Sequence, residues 1–376
     1  MADEEAKNNN QNNGNKNGNG EQILSLLDGA SPEFPQIAPE LETQKKVAAD
    51  KFRPLEERLE AFEDIIDSEI GDTNLTRARN IEREFGLRQI FLKFEGSTPT
   101  GTQKDRIAFA QVMDALRRGY DTVTVATCGN YGAAISLASA LAGLDCEIYI
   151  PEKYHTARIK EIEENGTRVV RVPGDYEQSV IFSQEAADKK DYYDANAGGN
   201  NTITQLRAYG EIAYEIYDEL RDAPAFIAMP VSNGTTLAGV YKGFVSLYRR
   251  GKTSKIPKFV AGSAFGKNPI IQAYLKNLPT CQDLEPDKIH ETPVNEPLIN
   301  WRSIDGNYAL SAIRNTGGWA AYATDKSMII HSKMLREKEG LSVLPASTAG
   351  LIALLDRHKT NTLPNDRYVV VLTGRK

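Results

Sequence analysis

The feature that most constrains the fold of this chain is a regular alternation of short apolar runs with longer amphipathic segments. The six runs are Asp121–Ala126, Cys146–Ile150, Arg168–Val172, Phe226–Val231, Phe259–Ala264 and Tyr368–Leu372. Apolar runs separated in this way are typical of parallel strands that are buried on both faces and joined by crossover helices. The pattern therefore predicts an open α/β architecture, in which ligands bind beyond the carboxyl ends of the strands.

The first part of the chain differs in composition from the rest. Residues 1–22 consist almost wholly of Asn, Gly, Lys, Glu and Gln, and we expect this tail to be disordered because it has nothing to bury. Residues 23–67 are acidic, and the apolar positions between Leu55 and Ile66 recur at helical spacing. This spacing predicts a capping or oligomer-facing helix. A further helix is predicted from Thr73 to Phe85, followed by a left-handed C-cap at Gly86.

Length and charge limit the classes of function. The 376 residues are enough for two domains, and the formal net charge of -6 provides no excess of basic residues for a nucleic-acid backbone. Neither a membrane-spanning apolar run nor a secretory signal pattern is found, so a cytoplasmic location without a membrane partner is expected. The three cysteines and four histidines have no spacing suited to a disulfide framework or a metal site.

A lysine follows a predicted strand and a Pro/Gly turn. Residues Phe91 to Phe94 read as the strand, and Lys104 falls in the first turn of the helix that comes after the turn. A cation there faces the positive end of the helix dipole, so a purely structural design would place an acid or a small polar residue. Such a lysine is a candidate for a lowered pKa and for Schiff-base chemistry. The alternative is an exposed turn lysine followed by an ordinary Asp/Arg pair.

A second turn follows the run that ends at Ala126. It reads Thr127-Cys128-Gly129-Asn130-Tyr131-Gly132 and leads into a helix of small residues. The glycines allow a ligand to approach the backbone, and the Asn130 amide offers a donor and an acceptor to an aromatic hydroxyl. The alternative is a tight turn in which Asn130 bonds to the local backbone. Cys128 has no base beside it in the sequence and is interpreted as a small packing residue.

A third turn, from Ser232 to Thr236, precedes another helix. Consecutive hydroxyl, amide and glycine residues at a helix N-terminus expose several N–H groups, as a phosphate dianion requires. Neither the Walker ending Gly-Lys-Ser/Thr nor Gly-x-Gly-x-x-Gly is present, so the turn does not favour nucleotides. The alternative is a capped helix entry without a ligand.

Taken together, these turns resemble those of the pyridoxal-phosphate enzymes of fold type II, the tryptophan synthase β-subunit class, and within it the threonine synthases most. The resemblance extends from about Gly71 to Lys376 and implies two open twisted α/β domains with pyridoxal 5'-phosphate in the cleft between them. The matching stretches are the lysine motif Thr98–Arg106, the asparagine loop Thr127–Gly132, the phosphate loop Ser232–Thr236, the element Leu344–Gly350 and the terminal element Leu372–Gly374.

The resemblance assigns a role to each motif. Lys104 would form the Schiff base and act as the base at Cα, while Asn130 would bond the cofactor's ring hydroxyl. Thr373 would face the pyridine nitrogen, and a neutral hydroxyl there suits elimination or replacement at Cβ or Cγ better than transamination. The remaining assignments are Ser232, Asn233, Gly234, Thr235 and Thr236 for the phosphate, and Thr127, Cys128 and Gly129 for the substrate carboxylate.

The resemblance also implies a domain arrangement. Residues 23–110 and 202–376 would form the large domain that binds the cofactor, and residues 111–201 would form a smaller, mobile domain that closes over the ligand. A homodimer is the expected assembly. No metal is expected.

The chain departs from the threonine synthase pattern around the substrate. Gln103 stands where an aromatic residue usually precedes the lysine, Leu344 stands in place of a Glu, and the stretch 208–211 replaces a Gly-Gln-Lys-Thr-like segment. Three cations, Arg106, Arg207 and Lys267, are possible contacts for an anionic substrate, although solvation at the surface is the favoured interpretation for each of them.

The expected activity is that of a lyase or synthase that eliminates or replaces a leaving group on a small amino acid. In the threonine synthase-like form the substrate is phosphorylated, and O-phosphohomoserine is converted to threonine. Alternatives with the same cofactor are a cysteate synthase using O-phosphoserine and sulfite, and a serine/threonine dehydratase. A cofactor-binding regulator without catalytic activity is an alternative of another class. A nucleotide-linked oxidoreductase lacks its glycine fingerprint.

Overall fold

The structure, a computed structural model, describes residues 37–127, 129–153 and 158–376. The predicted disordered tail, residues 1–22, lies outside this part of the chain. The helices of the described residues are α1 (Glu42–Ala49), α2 (Leu55–Glu69), α3 (Arg79–Phe85), α4 (Lys104–Arg117), α5 (Asn130–Leu141), α6 (Ile159–Glu164), α7 (Tyr176–Lys190), α8 (Thr202–Leu220), α9 (Thr235–Arg249), α10 (Pro269–Leu275), α11 (Gly306–Asn315), α12 (Asp325–Glu339) and α13 (Ala349–Thr360). The strands are β1 (Leu75–Arg77), β2 (Ile90–Phe94), β3 (Thr122–Ala126), β4 (Asp145–Pro151), β5 (Arg168–Val172), β6 (Tyr193–Asp194), β7 (Phe226–Pro230), β8 (Lys258–Ala264), β9 (Trp319–Ala323) and β10 (Tyr368–Leu372).

The strands form two sheets. The larger is six-stranded, in the order β1-β2-β10-β7-β8-β9, and the smaller is four-stranded, in the order β5-β4-β3-β6. All neighbouring strands are parallel except β1, which pairs with β2 in the antiparallel direction at one edge. Every residue of β3, β7 and β10 is buried, because helices cover both faces of a parallel sheet. The predicted α/β architecture is confirmed.

The six apolar runs all form strands, and each differs from its prediction by at most about one residue at either end. The strand before Lys104 is also confirmed as β2. Trp319–Ala323, by contrast, was not predicted and forms the far edge of the large sheet, paired with β8. It mixes buried and half-buried positions and so lacks the continuous burial of the central strands.

The predicted helix from Thr73 to Phe85 is wrong in its first half. Residues Leu75–Arg77 form the edge strand β1, with Leu75 opposite Lys93, and the helix begins only at Arg79. The cause is tertiary: the exposed edge of β2 supplies partners for this backbone that a short isolated helix would lack. The predicted C-cap is confirmed, since Gly86 has a φ of 69° and its N–H donates to the Glu82 carbonyl.

The predicted helix between Leu55 and Ile66 is confirmed as α2. Its apolar face buries Phe62 and Ile65 completely, and the Phe62 ring stacks on Phe109 of α4 with centroids 5.7 Å apart. The helix therefore covers the back of the lysine helix. The strands of the small sheet lie within the predicted range 111–201, but the predicted boundary at residue 110 falls inside α4. The domain limits and the mobility of the smaller domain stay predictions.

A buried ionic cluster joins β2, α4 and α8. Arg106 donates to Glu95 (Nε to Oε2, 2.6 Å) and to Glu215 (Nη1 to Oε1, 2.6 Å), and Lys93 donates to Glu215. Glu95 is fully buried, Arg106 is 3% exposed, and the Thr73 hydroxyl donates to Glu95. Two cations match two carboxylates, so the charges compensate one another within the core. The expectation that Arg106 is solvated at the surface or contacts a substrate is therefore wrong.

The electrostatic effect of the cluster is clear at Glu215. Although burial opposes ionisation, the hydrogen bonds and charges of Arg106 and then Lys93 lower the pKa of Glu215 to about 2. The folded state therefore gains stability from this carboxylate above its unfolded pKa of about 4.5, and loses that contribution as the pH falls toward 2.

None of the helices in the described ranges is both long enough and apolar enough to cross a bilayer.

We predict that Arg106→Met strongly destabilises the protein while Arg117→Met does not. The first change leaves Glu95 and Glu215 without their shared partner inside the protein, and breaking a buried pair from one side costs about 3–5 kcal/mol. Arg117 is on the same helix but is exposed, and exposed charges contribute about 0–1 kcal/mol. Urea unfolding of the two variants measures the difference. Equal midpoints would contradict a structural role for the cluster.

Candidate active site

A cavity of about 620 Å³ lies between the two sheets, at the carboxyl ends of their strands. It is lined by ten of the residues predicted to form the site, from both halves of the molecule. They are Lys104, Thr127, Gly129, Asn130, Ser232, Asn233, Gly234, Thr235, Thr236 and Thr373. Cys128, the other predicted residue, lies outside the described residues. Segments far apart in the sequence thus meet in one place, because parallel strands bring their carboxyl ends to the same edge.

Lys104 is the first residue of α4. The turn before it is fixed by Asp105, whose carboxylate accepts hydrogen bonds from the Thr100 N–H (2.8 Å) and hydroxyl (2.6 Å). Burial inside the protein lowers the pKa of Lys104 to about 8. In the described part of the chain its amine has no hydrogen-bond acceptor, and its nearest aromatic neighbour is the Tyr131 ring, 5.7 Å from the Nζ atom to the centroid. The residue is therefore a half-buried, desolvated amine facing a cavity, not an exposed turn lysine.

Asn130 is the first residue of α5, at the end of β3. Its Oδ1 accepts a hydrogen bond from Arg158 at 2.8 Å, which fixes the orientation of the amide. The Nδ2 group has no acceptor among the described residues and remains a donor for a ligand. The alternative of a purely local backbone bond is wrong for this side chain.

The turn from Ser232 to Thr236 forms the N-terminus of α9. Gly234 has a φ of 94°, in the left-handed region that favours glycine, and α9 begins at the next residue. A Cβ atom at Gly234 would lie 2.9 Å from the Cβ of Ala309 and 3.0 Å from the Asp305 carbonyl oxygen. The first turn of a helix leaves N–H groups without helical partners. The loop thus presents an anion-binding end with no side chain at its tightest point.

This loop is held from outside by residues that the sequence analysis did not single out. Asp305 accepts from the Thr235 hydroxyl (2.6 Å), and its own N–H donates to the Asn233 carbonyl. Asn268 donates to the Ser232 carbonyl at 3.0 Å, and Asn300 donates to the Asn233 side-chain oxygen at 3.0 Å. The Thr235 hydroxyl is therefore committed to Asp305 and contributes to the cradle by fixing its shape. No local motif marks these partners, because they come from a distant part of the chain.

Thr373 follows β10 and reaches the cavity beside the lysine turn. Its hydroxyl is 3.1 Å from the hydroxyl of Ser347, which is buried. Its carbonyl accepts from the Gln103 N–H at 3.0 Å, and the Arg375 N–H donates to the Gly101 carbonyl at 2.9 Å. The terminal strand therefore supports the turn that carries Lys104, and two neutral hydroxyls lie at this end of the cavity. The family resemblance of residues 344–350 indicated that this stretch belongs to the site, but it did not predict that the Ser347 and Thr373 hydroxyls would be paired.

The three cations considered for an anionic substrate do not line the cavity. Arg106 belongs to the buried cluster, Arg207 is exposed on α8, and Lys267 donates to the His290 carbonyl. Within the described ranges, the acidic, histidine and cysteine side chains form no group of three or more that is arranged to hold a metal ion.

Several residues of the cavity wall were missed entirely. The segment 286–301 contributes acidic and aromatic side chains to the lining, and the start of α7 contributes Asp175 and Glu177. Burial raises the pKa of Glu177 to about 7. Asp175 is the N-cap of α7 and accepts a hydrogen bond from the Gln178 N–H. An N-capping Asp is a recognisable sequence signal, and it could have predicted that α7 begins here.

Comparisons with known proteins agree with this geometry. Residues 66–374 match the family described as "Pyridoxal-phosphate dependent enzyme". The chain is 30% identical to the threonine synthase of Methanocaldococcus jannaschii and 29% identical to that of Methanosarcina acetivorans, each over 81% of this chain and 74% of the relative.

The fold is shared with more distant solved structures. Serine racemase from Dictyostelium discoideum has a TM-score of 0.68 at 18% identity, over 85% of this chain and 97% of its own. Threonine deaminase isoform 2 from Solanum lycopersicum has a TM-score of 0.67 at 15% identity, over 85% of this chain and 89% of its own. These similarities confirm the predicted fold type II architecture.

The cavity fits the cofactor that this family uses, pyridoxal 5'-phosphate. A half-buried amine with a lowered pKa at Lys104 suits its aldehyde, and the cradle at Gly234, which a Cβ would fill, suits its phosphate. A hydroxyl pair and an amide donor remain for the polar atoms of the ring. With the family match extending over most of its length, the chain belongs to the pyridoxal-phosphate dependent enzymes.

Proposed function

We propose that this protein eliminates or replaces a leaving group at Cβ or Cγ of an amino acid. The observation that carries the proposal is the presence, in one cavity, of the half-buried amine of Lys104, with its lowered pKa, and the neutral hydroxyls of Thr373 and Ser347. Bound pyridoxal phosphate supplies electron withdrawal from Cα of the amino acid. A neutral partner at the pyridine nitrogen moderates that withdrawal, which suits loss of a leaving group better than transamination.

Lys104 would hold the cofactor covalently and, once displaced by an amino acid, would accept the proton from Cα. An amine performs both tasks only in its neutral form. With a pKa of about 8, a substantial fraction of Lys104 is neutral near pH 7.5, whereas an ordinary lysine with a pKa of about 10.4 is almost wholly protonated. The same proton can later be returned to the substrate or to the leaving group.

The cradle at the start of α9 binds the cofactor's phosphate. The backbone N–H groups at Gly234, Thr235 and Thr236 face an anion at the positive end of a helix of 15 residues. The Ser232 and Thr236 hydroxyls add side-chain donors, while Asp305 holds Thr235 from behind. A rigid cradle keeps the reacting end of the cofactor at a fixed distance from Lys104.

The loop at the end of β3 binds the amino acid's carboxylate. Thr127 and Gly129 line the cavity, and Gly129 precedes α5, whose first turn leaves N–H groups without helical partners. Cys128 is the third member of this proposed subsite. Asn130 donates to the ring hydroxyl through the amide group that Arg158 orients.

The names of the relatives favour the threonine synthase-like form of this reaction, in which O-phosphohomoserine yields threonine. Because a threonine deaminase is among the solved structures of the same fold, dehydration of serine or threonine remains an alternative activity. Replacement by sulfite in the manner of a cysteate synthase is the other. A cytoplasmic homodimer remains the proposed setting.

We predict that borohydride reduction of the holoenzyme fixes a pyridoxyl group on Lys104 and that Lys104→Ala abolishes this adduct. In Lys104→Arg the length and charge are kept, but the guanidinium does not form the bond. Peptide mapping by mass spectrometry locates the group. Labelling at another lysine, or at none, would overturn the assignment.

We predict that Gly234→Ala lowers cofactor affinity at least about tenfold, because the added Cβ has to displace Ala309 or the Asp305 carbonyl at a positive φ. Gly251→Ala is the matched control: its φ is 66° and nothing lies within 4 Å of the added atom. The control costs about 1 kcal/mol of stability and leaves cofactor affinity unchanged. Titration of the two apoproteins with pyridoxal phosphate measures the difference.

We predict turnover of at least one amino acid that carries a leaving group. The holoenzyme is incubated with O-phosphohomoserine, with O-phosphoserine in the presence and absence of sulfite, with threonine and with serine, and phosphate, 2-oxo acid and amino-acid products are quantified. Phosphate release from O-phosphoserine alone would exclude the threonine synthase-like form. A coloured holoenzyme that turns over nothing in a broad amino-acid panel would instead indicate a regulator without catalytic activity.

A further inference from the structure

The Arg158 guanidinium connects two of the segments that carry the site. Its Nη1 group donates to Oδ1 of Asn130 at 2.8 Å, and its Nη2 group donates to the Thr100 carbonyl at 3.0 Å. Asn130 follows β3 of the small sheet, whereas Thr100 belongs to the turn between β2 of the large sheet and Lys104. One side chain therefore contacts both the asparagine loop and the turn that carries the lysine.

Arg158 is itself held in place by the helix that follows it. It precedes α6, and the Glu161 carboxylate of that helix accepts from its Nε (2.7 Å) and its Nη2 (2.8 Å). A bidentate pair between a guanidinium and a carboxylate fixes the planes of both groups. Both side chains are largely buried, with exposed fractions of 18% and 10%. The direction of the Nη donors is therefore set before a ligand binds.

Thr100 makes hydrogen bonds through its backbone N–H, its hydroxyl and its carbonyl. The N–H and the hydroxyl donate to Asp105, at 2.8 and 2.6 Å, and the carbonyl accepts from Arg158. The next carbonyl, that of Gly101, accepts from the Arg375 backbone N–H at 2.9 Å. Loss of the Arg158 guanidinium would therefore remove one of the bonds that hold this turn in a single conformation.

The contact with Asn130 decides which atom of its amide remains for a ligand. An arginine side chain has N–H donors and no acceptor, so the amide atom that meets it has to be the oxygen. The Nδ2 donor is then left for the cavity, which Asn130 lines. A charged donor at the oxygen also polarises the amide and strengthens the bond that its N–H makes. Such a bond to a ring hydroxyl favours the ionised form of that hydroxyl.

We propose that Arg158 is a positioning residue, which holds the lysine turn and the Asn130 amide in one fixed arrangement. Lys104 would hold the cofactor at its aldehyde, and Asn130 would bind the ring hydroxyl beside it. Both groups have to be in place at once, and a rigid donor that contacts both segments keeps their relative position constant. This inference rests on the proposed function, and it assigns Arg158 no contact with the substrate.

The first test needs no cofactor. Hydrogen–deuterium exchange is measured in the full-length apoprotein, for the peptide that covers residues 98–106, in Arg158→Met and in the unchanged chain. We expect exchange in this peptide to become at least about threefold faster in the variant, because the Thr100 carbonyl loses a charge-assisted partner. Unchanged exchange would show that Arg158 does not restrain the turn and would overturn the proposal.

The second test follows the cofactor's ring hydroxyl in the holoenzyme. A phenol and its phenolate absorb at different wavelengths, so the absorbance spectrum at a fixed pH reports which form the protein stabilises. We expect Arg158→Met to shift the spectrum toward the neutral form and to weaken cofactor binding about tenfold, which corresponds to one charge-assisted hydrogen bond.

A double-mutant cycle separates the two routes by which Arg158 could alter the spectrum. Asn130→Ala is expected to cause the same spectral shift as Arg158→Met, and the double variant is expected to add little to it, since both changes remove one chain of hydrogen bonds. Fully additive shifts would show that Arg158 acts independently of Asn130 and would overturn the coupling.

Arg158→Lys separates charge from geometry. An ammonium group keeps the positive charge but lacks the planar fork that contacts Glu161, Asn130 and Thr100 together. We expect it to restore only part of the slow exchange and only part of the spectrum. Complete recovery of both would show that a positive charge alone is sufficient, and the positioning role would be wrong.

Lys160→Met is the matched control. Lys160 is on α6, its side chain is 85% exposed, and it pairs with Glu164 on the same helix. We expect neither the exchange of residues 98–106 nor the spectrum to change, and an effect as large as that of Arg158→Met would overturn the proposal. If the unchanged chain fails to bind pyridoxal phosphate, the proposed function itself fails. If it binds the cofactor and Arg158→Met behaves like it, only the role of Arg158 is overturned.

Discussion

The site depends on how the first turn of α4 is held in place. An amine that faces a cavity from the positive end of a helix is unfavourable in charge and in solvation, so the surrounding structure has to enforce its position. Asp105, one residue further on, closes the preceding turn onto Thr100. Arg106, the next residue, anchors the helix to Glu95 and Glu215. Lys104 thus faces the cavity, and the two residues that follow it, Asp105 and Arg106, hold its turn and helix in position.

The same constraint explains the course of the terminal strand. β10 lies in the middle of the large sheet, between β2 and β7, and its exit passes directly beside the lysine turn. There Thr373 accepts from the Gln103 backbone, and Gly374 forms an isolated bridge with Thr102. The two segments are far apart in the sequence, so their contact exists only once the sheet is complete. The turn that carries Lys104 is therefore held by the terminal strand only once the large sheet is complete.

The sequence predicted the central strands and the positions of the ligand-facing turns well, because both follow from local patterns. Continuous apolar runs identify buried parallel strands, and a lysine after β2, an asparagine after β3 and a glycine after β7 identify the turns. The predictions that failed concern residues whose conformation or burial depends on contacts with distant parts of the chain. Leu75–Arg77 becomes a strand because β2 offers it an edge, and Arg106 is buried because Glu215 reaches it from α8. No local pattern contains either fact.

Electrostatics divides the cavity into two regions with different requirements. At the inner end, Lys104, the cradle before α9 and the Thr373–Ser347 pair supply donors and no carboxylate, as a phosphorylated cofactor demands. Elsewhere the lining includes the carboxylates of Asp175, Glu177, Asp287, Glu291 and Glu296. Shared ancestry with threonine synthases explains the inner region, since all members of the family bind the same cofactor. Because the fold alone does not determine the substrate, discrimination among amino acids has to come from the other side chains of the lining.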